Sequence, residues 1–210
     1  NVNLKENLKP EKSYSLDFGF DKSFIENNLD LSTTLFYMEY DDNISNWASN
    51  NSSGSTFTID NSAGKIKSKG LEITSNLKTN IINNIKFGYT FTDAYDGEDC
   101  DDPDSSCIDE MPVRVPRHSI QTKFTKEFGK FTTHLSGKYK TDVRDYGNTN
   151  NGFKEVILEA YSQFNFSATT DYFGYKIFFD VNNIFDENYV QAYQYSVGGR
   201  EFSFGLKRKF

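Results

Sequence analysis

Residues 85–92 read Ile-Lys-Phe-Gly-Tyr-Thr-Phe-Thr, a strict alternation of apolar and polar side chains. Successive side chains of a β-strand point to opposite faces, so this stretch predicts a strand with one apolar and one polar face. Eight other stretches alternate in a similar way, at residues 13–21, 29–37, 71–77, 120–125, 131–139, 158–166, 175–182 and 202–210. The sequence therefore predicts an all-β chain with nine strands.

The connections between these strands alternate between short and long. The short ones are 25–28, 78–84, 127–130 and 171–174, and the long ones are 41–64, 93–117, 142–155 and 186–199. A soluble β-sandwich has no reason to collect every long loop at one end, whereas an outer-membrane barrel has short periplasmic turns and long extracellular loops. The pattern therefore predicts a transmembrane antiparallel up-and-down β-barrel, in which apolar faces meet lipid and polar faces line an aqueous interior. A passive porin and a soluble β-sandwich binding module remain as alternatives.

Composition argues against several other classes of protein. The 210 residues are 36% hydrophobic, with no run of the roughly 18 apolar residues that a membrane-spanning helix needs. The 20 Phe and 13 Tyr argue against a disordered chain, and the net charge of −7 argues against a nucleic-acid binder. Only two His residues could act as bases near neutral pH, and neither a Gly-x-Ser-x-Gly motif nor a Cys/His metal cluster occurs. We therefore expect no catalytic residues.

The odd number of predicted strands indicates that the chain is part of a larger barrel. If the short turns are periplasmic, residues 1–12 lie outside the cell and the last strand ends in the periplasm. Bacterial single-chain barrels have even strand numbers, and nine strands alone leave two unpaired edges that lipid cannot satisfy. We therefore expect the C-terminal strands of a larger barrel.

The segment from Asp96 to Glu110 concentrates acidic residues and contains both cysteines. It holds eight carboxylates in 15 residues, together with Cys100 and Cys107. Their spacing predicts a disulfide hairpin in an oxidising compartment, with two free cytosolic thiols as the alternative. The carboxylates could bind calcium, since hard cations take clustered oxygen ligands, although the spacing of a dedicated calcium loop is absent. The alternative is a solvated surface loop; the calcium candidates are Asp99, Asp101, Asp102 and Asp104.

Five segments occur in an order typical of one family. They are residues 7–13 (Asn-Leu-Lys-Pro-Glu-Lys-Ser), 69–72 (Lys-Gly-Leu-Glu), 115–119 (Val-Pro-Arg-His-Ser), 181–189 (Val-Asn-Asn-Ile-Phe-Asp-Glu-Asn-Tyr) and 199–210, which ends in Phe. Together they resemble the C-terminal barrel part of TonB-dependent outer-membrane receptors. The resemblance implies that residues 1–210 are the C-terminal part of a receptor barrel of about 22 strands, in the outer membrane of a Gram-negative bacterium. The N-terminal plug domain of that family is absent from this chain.

The same resemblance implies a function and partners. Members of this family import a scarce, large nutrient with energy from the TonB complex, which acts through the plug. The resemblance also implies outer-membrane lipid as surroundings and recognition of Phe210 by the barrel-assembly machinery. The alternative for Phe210 is one more aromatic of the interfacial girdle. No cofactor is expected beyond the possible calcium.

The expected ligand rests on residues 189–202. This segment is most similar to family members that transport vitamin B12 (cobalamin), because siderophore receptors usually carry a Pro before the final Gly-Arg. Cobalamin is therefore favoured, with an iron-siderophore next. Tyr193, Tyr195 and Trp47 lie in long connections, where aromatic side chains over a pore mouth are candidate ligand contacts. Packing within the loops is the alternative for all three.

Overall fold

The computed structural model describes residues 2–4, 8–26, 28–51, 54–61, 65–96, 111–150 and 152–208. Within these ranges no helix is long and apolar enough to cross a membrane. The described residues form sixteen strands: β1 Val2–Leu4, β2 Lys12–Phe24, β3 Leu29–Asp41, β4 Ile44–Asn51, β5 Gly54–Asn61, β6 Ile66–Leu77, β7 Asn84–Asp96, β8 His118–Phe128, β9 Phe131–Lys140, β10 Val143–Thr149, β11 Gly152–Leu158, β12 Tyr161–Tyr172, β13 Tyr175–Asn182, β14 Val190–Ala192, β15 Tyr195–Ser196 and β16 Glu201–Arg208.

Nine of these strands form one sheet in chain order. The order is β16-β13-β12-β9-β8-β7-β6-β3-β2, and the registered pairs from β7 to β16 are all antiparallel. Three smaller sheets contain β1-β5-β4, β10-β11 and β14-β15. The nine strands are the nine predicted ones, so the all-β, up-and-down arrangement of a partial barrel is confirmed.

The structure differs from the predicted strands at the seventh strand and in the long connections. The seventh strand was expected to begin at Leu158, but it begins at Tyr161, and Leu158 ends β11 instead. The long connections contain antiparallel pairs that were not predicted, namely β4–β5, β10–β11 and β14–β15. Residues 150–152 are Asn-Asn-Gly, residue types typical of tight turns, so the sequence carried a signal for one of these hairpins.

The apolar face of the nine-stranded sheet is exposed. On β9, in the middle of the sheet, Leu135 and Tyr139 are exposed, and on β16 Phe204 is 73% exposed. The buried hydrophobic residues of the described ranges are Leu158, Tyr161 and Tyr189. Leu158 was expected on the lipid-facing side of the seventh strand, and this is wrong, because it is buried at the end of β11. Neither of the two tyrosines was predicted to face lipid. A β-sandwich would enclose the aromatic rings between two layers, so this alternative is contradicted.

The chain divides into two compact units, which are described separately. The first contains Asn1–Phe18, Leu35–Gly70 and Asp93–Pro112, and the second contains Gly19–Thr34, Leu71–Thr92 and Val113–Phe210. Ion pairs join segments of the first unit: Lys65 lies 2.6 Å from Glu39, and Lys69 lies 3.4 Å from Asp93. The candidate site lies in the second unit.

Candidate ligand-binding site

The turn after β13 directs the following segment, residues 183–200, back to the sheet. Asn183 is buried and has a φ of 53°, a left-handed conformation that Asn tolerates better than most residues. Its side chain accepts the N–H of Glu187 and donates to the Glu187 carbonyl, both at 2.9 Å. The Asn183 N–H donates to Asn165 Oδ1 on β12 at 2.9 Å, and Asp186 Oδ1 accepts the N–H of Arg200 at 2.7 Å. β13 ends at Asn182, as predicted, and the Asn183 side chain satisfies nearby backbone groups of the turn that follows.

Two stacked tyrosines hold this segment against β12 and β9. The rings of Tyr161 and Tyr189 lie 4.1 Å apart, and these residues are only 8% and 7% exposed. The ammonium group of Lys138 lies over both rings, at 5.4 and 5.5 Å from their centroids. The Tyr189 hydroxyl donates to Gln163 at 3.0 Å, and the Tyr161 hydroxyl accepts from Gln191 at 3.2 Å. The segment therefore packs on the polar face of the sheet, with each hydroxyl satisfied.

A buried carboxylate connects three segments that are distant in sequence. Asp145 on β10 is 2% exposed, and its Oδ1 lies 3.0 Å from the guanidinium of Arg114. Oδ1 also accepts the N–H of Tyr146 at 2.9 Å, while Oδ2 accepts the N–H of Tyr193 at 2.7 Å. Arg114 in turn donates its own N–H to the Arg144 carbonyl at 2.8 Å. We call Arg114, Asp145, Gly147 and Tyr193 the loop junction.

The donors around Asp145 keep it charged. Burial alone would raise the pKa of this carboxyl, but the hydrogen bond from Arg114 and the N–H groups of Tyr193 and Tyr146 outweigh it. The net pKa of Asp145 is therefore below its ordinary value. The pKa of Arg114 is raised, chiefly by its hydrogen bond to Asp145. The junction is thus an ion pair at neutral pH.

Gly147 belongs to the loop junction because the Tyr193 ring packs closely on it. A Cβ atom at Gly147 would overlap the Tyr193 ring, so only glycine allows this ring to lie on the β10–β11 hairpin. The next residue, Gln194, has a φ of 66° and donates its side-chain amide to the Asn148 carbonyl at 3.2 Å. The tip of the 183–200 segment is therefore fixed to the hairpin by the Tyr193 ring and by the hydrogen bonds to Asp145 and Asn148.

Two concave regions lie beside these contacts, both within the second unit. A small cavity of about 150 Å³ is lined by Arg114, Lys140, Glu159 and Gln191, among others. A larger groove of about 980 Å³ crosses seven strands from β2 to β12. Its lining includes the polar-face residues Thr74, Gln121, Ser136 and Asn165, which agrees with the prediction that this face meets water. The linings of both regions include charged side chains of both signs, among them Asp21, Lys86 and Lys123 in the groove and Arg114 and Glu159 in the small cavity.

A family model decides what kind of protein this is. The model described as TonB dependent receptor-like, beta-barrel, matches residues 1–184. The chain belongs to this family. Members of this receptor family are outer-membrane proteins of Gram-negative bacteria, so the predicted location is confirmed. No curated protein matches the sequence.

Solved structures of other receptors share the fold. The FrpB iron transporter from Neisseria meningitidis superposes with a TM-score of 0.74 at 16% identity, covering 100% of this chain and 33% of the other. The pyoverdine receptor FpvA from Pseudomonas aeruginosa, bound to pyoverdine, gives 0.74 at 16% identity, covering 97% and 30%. The copper transporter OprC gives 0.72 at 15% identity, covering 98% and 32%. The chain thus spans about a third of the length of these transporters.

The structure places only part of the residues predicted to form sites in this receptor. Tyr195 on β15 is 73% exposed and available to a ligand, whereas Tyr193 is engaged in the loop junction. Trp47 lies on β4, and the structure describes its backbone only. The predicted disulfide (Cys100, Cys107), the possible calcium ligands (Asp99, Asp101, Asp102, Asp104) and Phe210 lie outside the described residues. Within the described ranges, no group of three or more His, Cys, Asp or Glu could hold a metal ion.

Several residues of the site were not predicted. Asp145 and Gly147 lie in the long connection 142–155, Arg114 lies in the long connection 93–117, and Lys138 lies on the polar face of the predicted strand 131–139; none of them was singled out. Residues 143–149 alternate as Val-Arg-Asp-Tyr-Gly-Asn-Thr, so the hairpin that carries Asp145 left a readable signal. The partners of Asp145 left none, because their contacts join positions 31 and 48 residues away.

Proposed function

We propose that this chain forms part of a receptor that binds a scarce metal chelate outside the outer membrane and imports it with energy from TonB. The observation that supports this function most directly is the family match over residues 1–184. The exposed apolar face and the groove on the polar face suit a membrane-embedded wall with an aqueous interior. Both are properties that a transport barrel needs.

Two metal chelates are candidates for the ligand, cobalamin and a ferric siderophore. Cobalamin is supported by the resemblance of residues 189–202 to its transporters. Two aromatics of that segment, Tyr189 and Tyr193, are occupied by packing. Tyr195 and Phe202 are exposed, and Phe202 belongs to the apolar face of β16, which leaves Tyr195 as the exposed ring of the connection before β16. A ferric siderophore is supported by the structural neighbours, whose names include an iron transporter and a pyoverdine receptor. We propose Tyr195 as a contact for either chelate.

Uptake by cells that produce the full-length receptor tests the function. Radiolabelled cobalamin and a radiolabelled ferric siderophore would be offered to a strain without other receptors for them, with and without TonB. We expect saturable uptake of one chelate that stops when TonB is deleted or the membrane potential is collapsed. Uptake that is linear in concentration and independent of TonB would indicate a passive porin instead.

A further inference from the structure

Three pairs of a cation and an aromatic ring lie at the end of the nine-stranded sheet that carries the short turns. In each pair the cation lies between 5.2 and 5.6 Å from the centroid of the ring. These distances fall within the roughly 6 Å over which an aromatic face attracts a cation. The pairs, which we call the edge pairs, are Lys22 with Phe24 on β2, Lys126 with Phe128 on β8, and Arg208 on β16 with Tyr175 on β13.

The edge pair on β8 lies on the apolar face of the sheet, which meets lipid. Lys126 and Phe128 follow Phe124 at alternate positions, and Phe124 is paired with Leu135, an exposed residue of that face. Phe128 is paired with Phe131 on β9, and the two residues are 57% and 54% exposed. Because β8 and β9 lie between β7 and β12, both neighbours of this hairpin belong to the same chain. The outward exposure of the two rings therefore does not depend on the strands that complete the barrel.

The other two cations also lie where the apolar face ends. On β16, Arg208 follows Phe204 and Leu206 at alternate positions. On β2, Lys22 follows Phe20 in the same way. A cation in the hydrocarbon region is costly, so such side chains extend to the membrane interface. The short turns of outer-membrane barrels are periplasmic, so the edge pairs lie at the level of the phosphate-bearing headgroups of the periplasmic leaflet.

The ammonium group of Lys126 is held in place by the neighbouring turn. It donates to the backbone carbonyl of Ile81, in the connection between β6 and β7. The same connection accepts the N–H of Glu127, which donates to Asn83 Oδ1 at 2.8 Å. An ammonium group has three donors, so the bond to Ile81 does not exhaust its capacity. A cation fixed in this way loses less conformational entropy when it binds an acceptor than a freely rotating one.

We propose that the edge pairs bind the phosphate groups of anionic phospholipids in the periplasmic leaflet, so that this edge of the barrel wall selects lipids by headgroup charge. The inference goes beyond the proposed function, because it concerns a lipid and not the imported ligand. Phosphate oxygens accept charge-assisted hydrogen bonds from Lys and Arg, and aromatic rings favour the headgroup level beside them. A zwitterionic headgroup carries its own cation next to the phosphate, so the edge pairs favour an anionic lipid over it.

Crosslinking from position 131 tests the proposal at the edge pair on β8. The full-length receptor, with a photoreactive phenylalanine analogue in place of Phe131, would be reconstituted in bilayers of phosphatidylethanolamine that contain a minor share of phosphatidylglycerol. Mass spectrometry of the crosslinked lipids then gives the ratio of the two headgroups, which is compared with their ratio in the bilayer. The variants are Lys126→Gln and Lys126→Arg. Lys176→Gln is the matched control, because Lys176 follows Tyr175 on β13 and therefore lies at the same end of the sheet on its opposite face.

We expect phosphatidylglycerol to be enriched about fivefold over its share of the bilayer, the preference that corresponds to the attraction of one Lys to an anionic lipid. Lys126→Gln should remove this enrichment, whereas Lys126→Arg and Lys176→Gln should keep it. Crosslinking of both lipids in proportion to the bilayer, or an enrichment that persists in Lys126→Gln, would overturn the proposal. An equal loss in Lys176→Gln would do the same, because it would trace the preference to overall charge. The absence of any lipid crosslink would place Phe131 outside the membrane interface and would also overturn it. Uptake of the imported ligand is not measured here, so each of these failures leaves the proposed function intact.

Discussion

Replacing Asp145 with Asn tests whether the loop junction holds the 183–200 segment on the sheet. Asn has nearly the shape of Asp, but it has no charge and presents an NH₂ group in place of one oxygen. Oδ1 of Asp145 accepts from Arg114 and Tyr146, and Oδ2 accepts from Tyr193. Whichever way the amide is oriented, its NH₂ group faces at least one donor. Asp145→Asn therefore loses the ion pair and at least one hydrogen bond.

The size of the effect follows from burial. A hydrogen bond to a charged group contributes about 1.5–3 kcal/mol, and separating a fully buried ion pair costs about 3–5 kcal/mol. Asp145 is buried, but the Arg114 side chain is 53% exposed, so water recovers part of the loss on that side. We expect the free energy that opens the junction to fall by about 2 kcal/mol. That difference corresponds to roughly a 30-fold larger open population.

Amide hydrogen exchange of the full-length receptor measures this opening directly. The Tyr193 N–H, which donates to Asp145, should exchange about 30-fold faster in Asp145→Asn, while peptides from β13 keep their protection. Asp171→Asn is the control, because Asp171 is exposed at the end of β12. Unchanged exchange at Tyr193 would refute the reasoning. Equal acceleration in β13 would show that the change unfolds the protein globally and does not release a junction.

Three further changes follow from the same geometry. The pKa of Asp145 is lower in the folded protein than the ordinary carboxyl pKa of about 3.9. Its contribution to the stability of the loop junction is therefore complete above the ordinary pKa and is lost as the pH falls through the lower folded pKa. The Tyr193 protection factor should therefore be constant from neutral pH to about 4 and fall only below it; a decline that begins near neutral pH would contradict this. Gly147→Ala should destabilise the junction by about 1–3 kcal/mol through overlap with the Tyr193 ring. Hydrogen exchange checks it, with Gly88→Ala as the control, because a Cβ at Gly88 would meet the Gln121 Cβ at an ordinary contact distance of 4.0 Å; equal effects would contradict it. Tyr195→Ala should leave thermal stability within about 0.5 kcal/mol and weaken chelate binding about tenfold; unchanged binding would remove Tyr195 as a ligand contact.

The sheet was predictable because each of its strands has faces in two different environments. Residues 175–182 illustrate this, since the predicted bounds and the bounds of β13 coincide. An apolar face in contact with lipid and a polar face in contact with water impose alternation on every strand, without help from distant residues. The turn after β13 is also formed locally, because the Asn183 side chain satisfies the backbone of Glu187, four residues away.

The start of β12 was not predicted from alternation. The apolar-polar pattern of residues 158–166 is interrupted only at Tyr161 and Ser162. The strand begins at Tyr161, and Leu158 is buried at the end of β11. Alternation predicts which face of the sheet a side chain occupies, but it does not predict which neighbouring strand pairs with the backbone. The short interruption at Tyr161 and Ser162 coincides with the change of partner strand, but an interruption of two residues does not by itself separate two strands.

The same limit explains why the candidate site was found only in part. Tyr193 and Tyr195 were treated alike, because both are tyrosines in one long connection two residues apart. Their different environments depend on Gly147 and Asp145, which occupy a hairpin 46 and 48 residues earlier in the chain. The Tyr193 ring packs on Gly147, and the backbone N–H of Tyr193 donates to the buried Asp145 carboxylate. These contacts fix the backbone that presents the Tyr195 ring to solvent. The residue proposed to contact ligand is therefore positioned by residues that do not contact it, and a loss of binding in Asp145→Asn with Tyr195 intact would follow from that arrangement.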